Sequence, residues 1–232
     1  MRILALVPAR GGSKRIAGKN IRVLGGRPLI VWSIDVAKGI PEVCDILVST
    51  DDSATAEIAR CAGAMVPWLR PAELASDAAS VVDVCLHGLD WYEAEHGTVD
   101  GLLLLQPTCP FRRRSTVLRG IALFRGHQRR PVLGVSPAVS HPMWCFRIDG
   151  EVIRPFVEGG LQLRSQDLPS AYALNGAFYL VEPSDLRKRR AFYRADMLPL
   201  LIDEPEESID IDTEWDWKIA TTVLAQSGTD SK

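Results

Sequence analysis

Acid is missing from the start of this chain. The first 34 residues hold no Asp or Glu but seven bases: Arg2, Arg10, Lys14, Arg15, Lys19, Arg22 and Arg27. Histidine is scarce, at four in 232 residues, and none of the five cysteines belongs to a CxxC pair. That argues against a disulfide frame or a zinc centre, and for reduced thiols in a cytoplasmic protein. No apolar run reaches membrane length. The run behind Arg2, Ile3–Val7, is too short for a secretory leader and no small-residue cleavage site follows it. Two familiar phosphate loops are also absent. GxGxxG does not occur. Five residues separate Gly12 from Gly18 where a P-loop has four, and Asn20 replaces the metal-binding hydroxyl.

The net charge is only −2, so the basic start is a local feature. Neither nucleic acid nor a membrane surface is expected as a partner. The opposite imbalance lies near the other end, where Asp203 to Asp216 holds eight carboxylates and no base. A basic glycine loop and an acidic segment together suit a metal-bound polyphosphate: cations meet phosphate oxygens and carboxylates hold the metal.

Apolar runs alternate with helical patterns. Strands are expected at Ile3–Val7, Asp45–Thr50, Ala64–Trp68, Gly101–Leu105, Val132–Val135, Ala177–Val181 and Leu198–Ile202. Helices are expected at Pro28–Gly39, Ser53–Ala62, Ser80–Glu95, Thr116–Phe124, Pro183–Phe192 and Thr213–Ala225. This rhythm implies an α/β fold, a parallel sheet with helices on both faces and ligands beyond the strands' carboxyl ends. Over 137–174 prolines, aromatics and short alternations replace the pattern, which reads as an inserted lobe. The core is then 1–136 with 175–226, and 227–232 a flexible tail.

Pro8 to Asn20 leaves the first strand with glycines that let backbone N–H groups approach an anion, and with Arg10, Lys14 and Lys19 for charge. In Ser208–Trp217 acidic and apolar residues alternate. Asp210 and Asp212 then share one face of an extended segment as hard oxygen ligands, while Ile209 and Ile211 pack inward. Asp216 suits the first turn of the last helix. The arginines around 112–114 and 187–190 read as solvated helix edges, Arg112 excepted.

These two motifs, with Arg70–Asp77, Gln106–Arg112 and Asn175–Tyr179 between them, make the chain resemble the acylneuraminate cytidylyltransferases, the CMP-sialic or CMP-nonulosonic acid synthetases. The resemblance spans nearly the whole chain. It implies a Rossmann-like, mostly parallel sheet sandwiched by helices, a small inserted dimerisation lobe and a homodimer. It implies an enzyme, a nucleotidyltransferase, that joins CTP to a sugar acid with Mg2+. Carried over by position, Arg10, Gly11, Gly12, Ser13, Lys14, Lys19, Asn20, Arg70, Asp77 and Ser80 would meet the nucleotide, with Arg10 and Lys19 catalytic. Gln106, Arg164 and Asn175 would face the sugar acid, and Asp210 and Asp212 the metal. Cys109 stands where the family has serine, and Ala173-Leu174 where some sialic acid enzymes have arginine and proline, which leaves the sugar open. No general base is assigned; His141 is the one histidine near a matched segment. The alternatives are a Kdo-type synthetase and a non-catalytic nucleotide-sugar binder.

Overall fold

A computed structural model describes residues 1–227. Strand β1 (Ile3–Pro8) is buried because it faces helices on both sides. Its odd residues Ile3, Ala5 and Val7 join one core with Ile30 and Ile34 of α1 (Leu29–Ala37), Ala56 and Ala59 of α2 (Ser53–Cys61), and Ile121 of α5 (Arg114–Gly126). Its even residues Leu4 and Leu6 join a second core with Cys85, Leu89 and Tyr92 of α4 (Val81–His96) and Leu186 of α6 (Pro183–Arg189). Successive strand side chains point to opposite faces, so a run with no polar position must be covered twice. Each buried Leu or Ile contributes roughly 1.5–3 kcal/mol of transfer free energy.

The other strands of the main sheet are β4 (Val43–Ser49), β5 (Gly101–Leu104), β6 (Val132–Pro137), β9 (Tyr172–Val181) and β10 (Leu198–Leu201). Their order is β10-β6-β9-β5-β1-β4. All neighbours run parallel except β9, which is antiparallel to both β5 and β6. Two short strands, β2 (Val23–Leu24) and β3 (Arg27–Pro28), form a hairpin before α1. The short helix α3 (Ala72–Ala75) precedes α4, and α7 (Glu214–Ser227) closes the described chain. Residues 228–232, most of the expected tail, lie outside the described residues.

One expected strand is not there. Ala64–Trp68 meets the sheet through a single parallel bridge, Leu47 to Met65, and is otherwise irregular. It packs Ala64 and Val66 into the first core, which is what made it apolar. Between Pro137 and Tyr172 lies a separate ribbon, β7 (Phe146–Asp149) with β8 (Val152–Pro155). Large apolar side chains there face outward: Ile148 is 80% exposed, Ile153 63% and Phe156 67%. No helix among the described residues is long and apolar enough to cross a membrane.

Candidate active site

The carboxyl ends of β1 and β5 open onto a cleft of about 490 Å³. Its walls include Arg10, Ser13, Lys14, Arg15, Lys19, Asp77, Gln106, Thr108 and Asp212. The loop after β1 bends back because Ala9 N–H still donates to Ser49 of β4, at 2.9 Å. Gly11 N–H then donates to Asp51 Oδ1 at 2.9 Å. A Cβ on Gly11 would stand 2.7 Å from the Cβ of Asp52, so the close approach to the β4 end requires glycine. At Gly12 a Cβ would meet nothing within 4 Å, so no neighbour in the chain itself demands glycine there. Asn20 closes the loop: its Nδ2 donates to the Arg10 carbonyl at 2.9 Å, and the side chain is buried.

The acidic segment reaches this loop from the far end of the sequence. Ile211 is fully buried, and its N–H donates to the Thr108 carbonyl at 2.8 Å. That fixes an extended segment with Asp210 and Asp212 on either side. Lys19 Nζ donates to the Ile211 carbonyl at 2.8 Å and to Asp212 Oδ1 at 3.0 Å. Arg15 meets the other oxygen of Asp212 at 3.3 Å. On the opposite wall, Asp77 accepts from Arg10 at 2.7 Å and also pairs with Lys14. The two carboxylates thus hold all four cations of the loop.

Asp216 is a helix cap. Its Oδ2 accepts from the N–H groups of Asp212 (3.0 Å) and Thr213 (2.7 Å) and from the Thr213 hydroxyl (2.8 Å). Thr213 Oγ1 accepts in return from Asp216 N–H at 3.3 Å, the reciprocal pattern of a capping box. Burial pushes the Asp216 pKa up, but these hydrogen bonds win and hold it low. Asp210 goes the other way. Lost hydration raises its pKa and the charge of Asp212 adds to that; a Thr108 hydrogen bond and Lys19 oppose. Two repelling carboxylates, one of them on the cleft wall, are a donor set that a divalent cation relieves. Among the described residues no group of three or more His, Cys, Asp or Glu side chains is arranged to hold a metal. A hard ion that keeps waters and takes phosphate oxygens fits two carboxylates; a fully protein-ligated one does not.

Other residues named from the sequence lie behind or away from the cleft. Arg70 is buried and spends its guanidinium on the Ser49 hydroxyl (3.0 Å), the Ser49 carbonyl and the Leu74 carbonyl (3.4 Å). Burial lowers its pKa, with Asp51 as the nearest compensating charge. Ser80 caps α4 by accepting from Val82 N–H at 3.1 Å. The Asn175 amide is used twice, donating to Ser136 Oγ and accepting from Ala177 N–H, both at 3.0 Å. Arg164 lies in the lobe, 73% exposed and paired with Asp167 at 2.7 Å, outside this cleft. His141 is also in the lobe, 2.9 Å from the Pro169 carbonyl. Cys109 is buried beside Asp210, its thiol pKa pushed up to about 12 by lost hydration.

Sequence reasoning missed several neighbours. Asp51, Arg15 and Thr108 shape the cleft, and only adjacency to a named motif could have pointed to them. A second cavity, about 260 Å³, touches the cleft through one shared residue, Gln106. Tyr179, Phe192, Tyr193, Ser80 and Arg190 line it. The solvated-edge reading holds for Arg190, which borders this cavity but is 59% exposed, sits at a left-handed helix end (φ 54°) and pairs with Asp83. It also holds for Arg187, which pairs on the surface with Asp90 and Glu93.

The sequence pattern described as cytidylyltransferase matches residues 4–89. The CMP-N,N'-diacetyllegionaminic acid synthase of Legionella pneumophila is 38% identical over 226 residues, 97% of each chain. The chain belongs to the cytidylyltransferase family. This cytidylyltransferase is also 28% identical over 223 residues to the N-acylneuraminate cytidylyltransferase of Escherichia coli O18:K1:H7, covering 96% of its own length and 52% of that relative. Its fold matches that of a CMP:2-keto-3-deoxy-manno-octonic acid synthetase solved with CTP, at a TM-score of 0.73 and 16% identity, over 98% and 100% of the two chains. The mostly parallel, Rossmann-like architecture is thus that of the family, and the chain is a nucleotidyltransferase.

Proposed function

We propose that this cytidylyltransferase joins CTP to an N-acylated nonulosonic acid, releasing pyrophosphate and forming the CMP-sugar. The observation that carries the reading is the contact of Lys19 with Asp212, 3.0 Å across 193 positions of sequence, on the wall of a cleft rich in cations. Arg10, Lys14, Arg15 and Lys19 exchange their carboxylate partners for the oxygens of the triphosphate. The N–H groups around Gly11, Gly12 and Ser13 face the same anion, and the bare Cα of Gly12 admits its close approach. The sugar's anomeric hydroxyl attacks the α-phosphorus and loses its proton to solvent, the bond to the β-phosphate oxygen breaks, and the electron pair leaves with pyrophosphate. Arg10 and Lys19 stabilise that growing charge, being fixed before the reaction. Asp210 and Asp212 would hold Mg2+, which supplies Lewis acidity at the α-phosphate when bound. Asn20, Arg70 and Ser80 keep the loop and the frame on the nucleotide side in place from behind.

The second cavity supports the choice of sugar. Gln106 reaches from the cleft into an aromatic pocket, which suits an acyl group better than a bare hydroxyl chain. The relative that acts on N,N'-diacetyllegionaminic acid supports the same choice. Because Arg164 is outside the cleft of its own subunit, we assign it to a partner subunit's site in a homodimer. The outward apolar residues of the β7–β8 ribbon favour that assembly. Five free thiols fit a cytoplasmic enzyme.

The deciding experiment crosses four nucleotides with legionaminic, pseudaminic, N-acylneuraminic and Kdo-type acids and reads pyrophosphate. Release is expected with CTP and an acylated nonulosonic acid. Preference for the Kdo-type acid, or CTP binding without any release, would overturn the reading.

A further inference from the structure

Arg112 is 4% exposed and lies behind the turn that carries Gln106, bonded to that residue's carbonyl. Among the described residues no carboxylate hydrogen-bonds its guanidinium, and the buried Glu207 acts on it only through its charge. Nη2 donates to the Gln106 carbonyl at 3.1 Å, Nη1 to Ser33 Oγ at 3.3 Å, and Nε to the Ala177 carbonyl. Ser33 Oγ donates to that same Gln106 carbonyl at 3.2 Å. A buried guanidinium bonded only to neutral acceptors is a costly arrangement that apolar packing would avoid. It persists here where three elements converge: the β5 exit, β9 and α1.

What these bonds fix is Gln106. It is the one residue shared by the cleft and the aromatic cavity. Pro107 follows it, so the next peptide has no N–H with which to anchor the turn. On the other side, Arg112 holds Ala177, next to Gly176. A Cβ at Gly176 (φ 73°) would stand 3.2 Å from Gln106 Oε1 and 3.9 Å from Asp210 Oδ2. One guanidinium therefore sets the spacing of the Gln106 amide against the strand that passes the metal-side carboxylate.

We infer that Arg112, with Ser33, is a positioning residue for the sugar acid, acting through Gln106 and not through the nucleotide. This rests on the proposal that Gln106 faces the sugar. The test is a mutant cycle on KM for the sugar acid, run with whichever acid gives pyrophosphate with the unmodified enzyme, so that a wrong sugar assignment shows first and separately. Ser33→Ala removes one bond to the Gln106 carbonyl and should raise sugar KM about fivefold, the worth of roughly one hydrogen bond. Arg112→Lys keeps the charge, loses the fork, and should raise it on the order of tenfold or more. KM for CTP should stay within about twofold for both, since the triphosphate meets the loop after β1. In a Gln106→Ala background the Ser33→Ala and Arg112→Lys effects on sugar KM should vanish, because contacting residues are non-additive. Thermal unfolding reports separately on folding, and Ser33→Ala serves if Arg112→Lys does not fold. Equal rises in both KM values, or effects that persist undiminished without the Gln106 side chain, would overturn the inference.

Discussion

Asp77 lines the cleft opposite Asp212, Asp210 stands two residues from Asp212, and Asp77 and Asp210 are perturbed in opposite directions. Hydrogen bonds from Lys14 and then Arg10 lower the pKa of Asp77. Asp77 is thus an anion standing on the very cations that the proposed triphosphate needs. Asp77→Asn should lower KM for CTP up to about fivefold, the reach of an exposed ion pair. A KM raised tenfold would instead make Asp77 a direct nucleotide ligand. For Asp210, a folded pKa above the unfolded value means that the ionised form costs stability at neutral pH. The penalty disappears below the unfolded value, about 3.9. Asp210→Asn should therefore raise Tm at pH 7, with the gain closing by about pH 3.5, while pyrophosphate release collapses. An unchanged or lower Tm at pH 7 would contradict that. That Lys19 and Asp212 meet was legible because a glycine loop and an alternating acidic segment are patterns with a mechanism. Arg70 and Asn175 were misleading: residue type says that a side chain has donors, not that the fold has already spent them on Ser49 or Ser136.

Among the elements, α7 connects helix stability to the site. Asp216 caps the helix and also accepts from the Asp212 N–H, so the cap orients the segment that carries the two aspartates. Asp216→Ala should cost about 1 kcal/mol in denaturant unfolding. It should also weaken Mg2+ dependence, raising the half-saturating concentration severalfold; unfolding without that shift would mean that the cap and the site are independent. In the parallel frame β1 and β5 were readable as unbroken apolar runs covered on both faces, and β4 through its buried Ile46–Val48. Two features were not. Ala64–Trp68 has a strand's composition, but it buries side chains without taking a place in the ladder. The direction of β9 leaves no trace in its buried part, Ala177–Val181, because a strand covered on both faces has the same pattern in either orientation.

For the molecule as a whole, opposite ends of the chain complete one site, and the lobe presents apolar side chains to the outside. If these are covered by a second copy, Ile153→Asp with Phe156→Asp should convert a dimer to a monomer in sedimentation velocity, with Arg164-dependent activity lost at the same time. A mutant that sediments as the unmodified protein does would remove the partner subunit from the account. The α/β rhythm of the sequence stops at 137, where β6 ends, but β9 already begins at Tyr172 and what covers the lobe was not written in that stretch. The central claim remains the convergence of the basic loop and the two aspartates around one metal-bound triphosphate. Its most direct test is the single-turnover rate of pyrophosphate release by Asp212→Asn at saturating Mg2+, CTP and sugar acid. The account predicts a fall of roughly 100- to 1,000-fold in a folded protein, the scale of losing one preorganised electrostatic group. A rate within about threefold of the unmodified enzyme would contradict it.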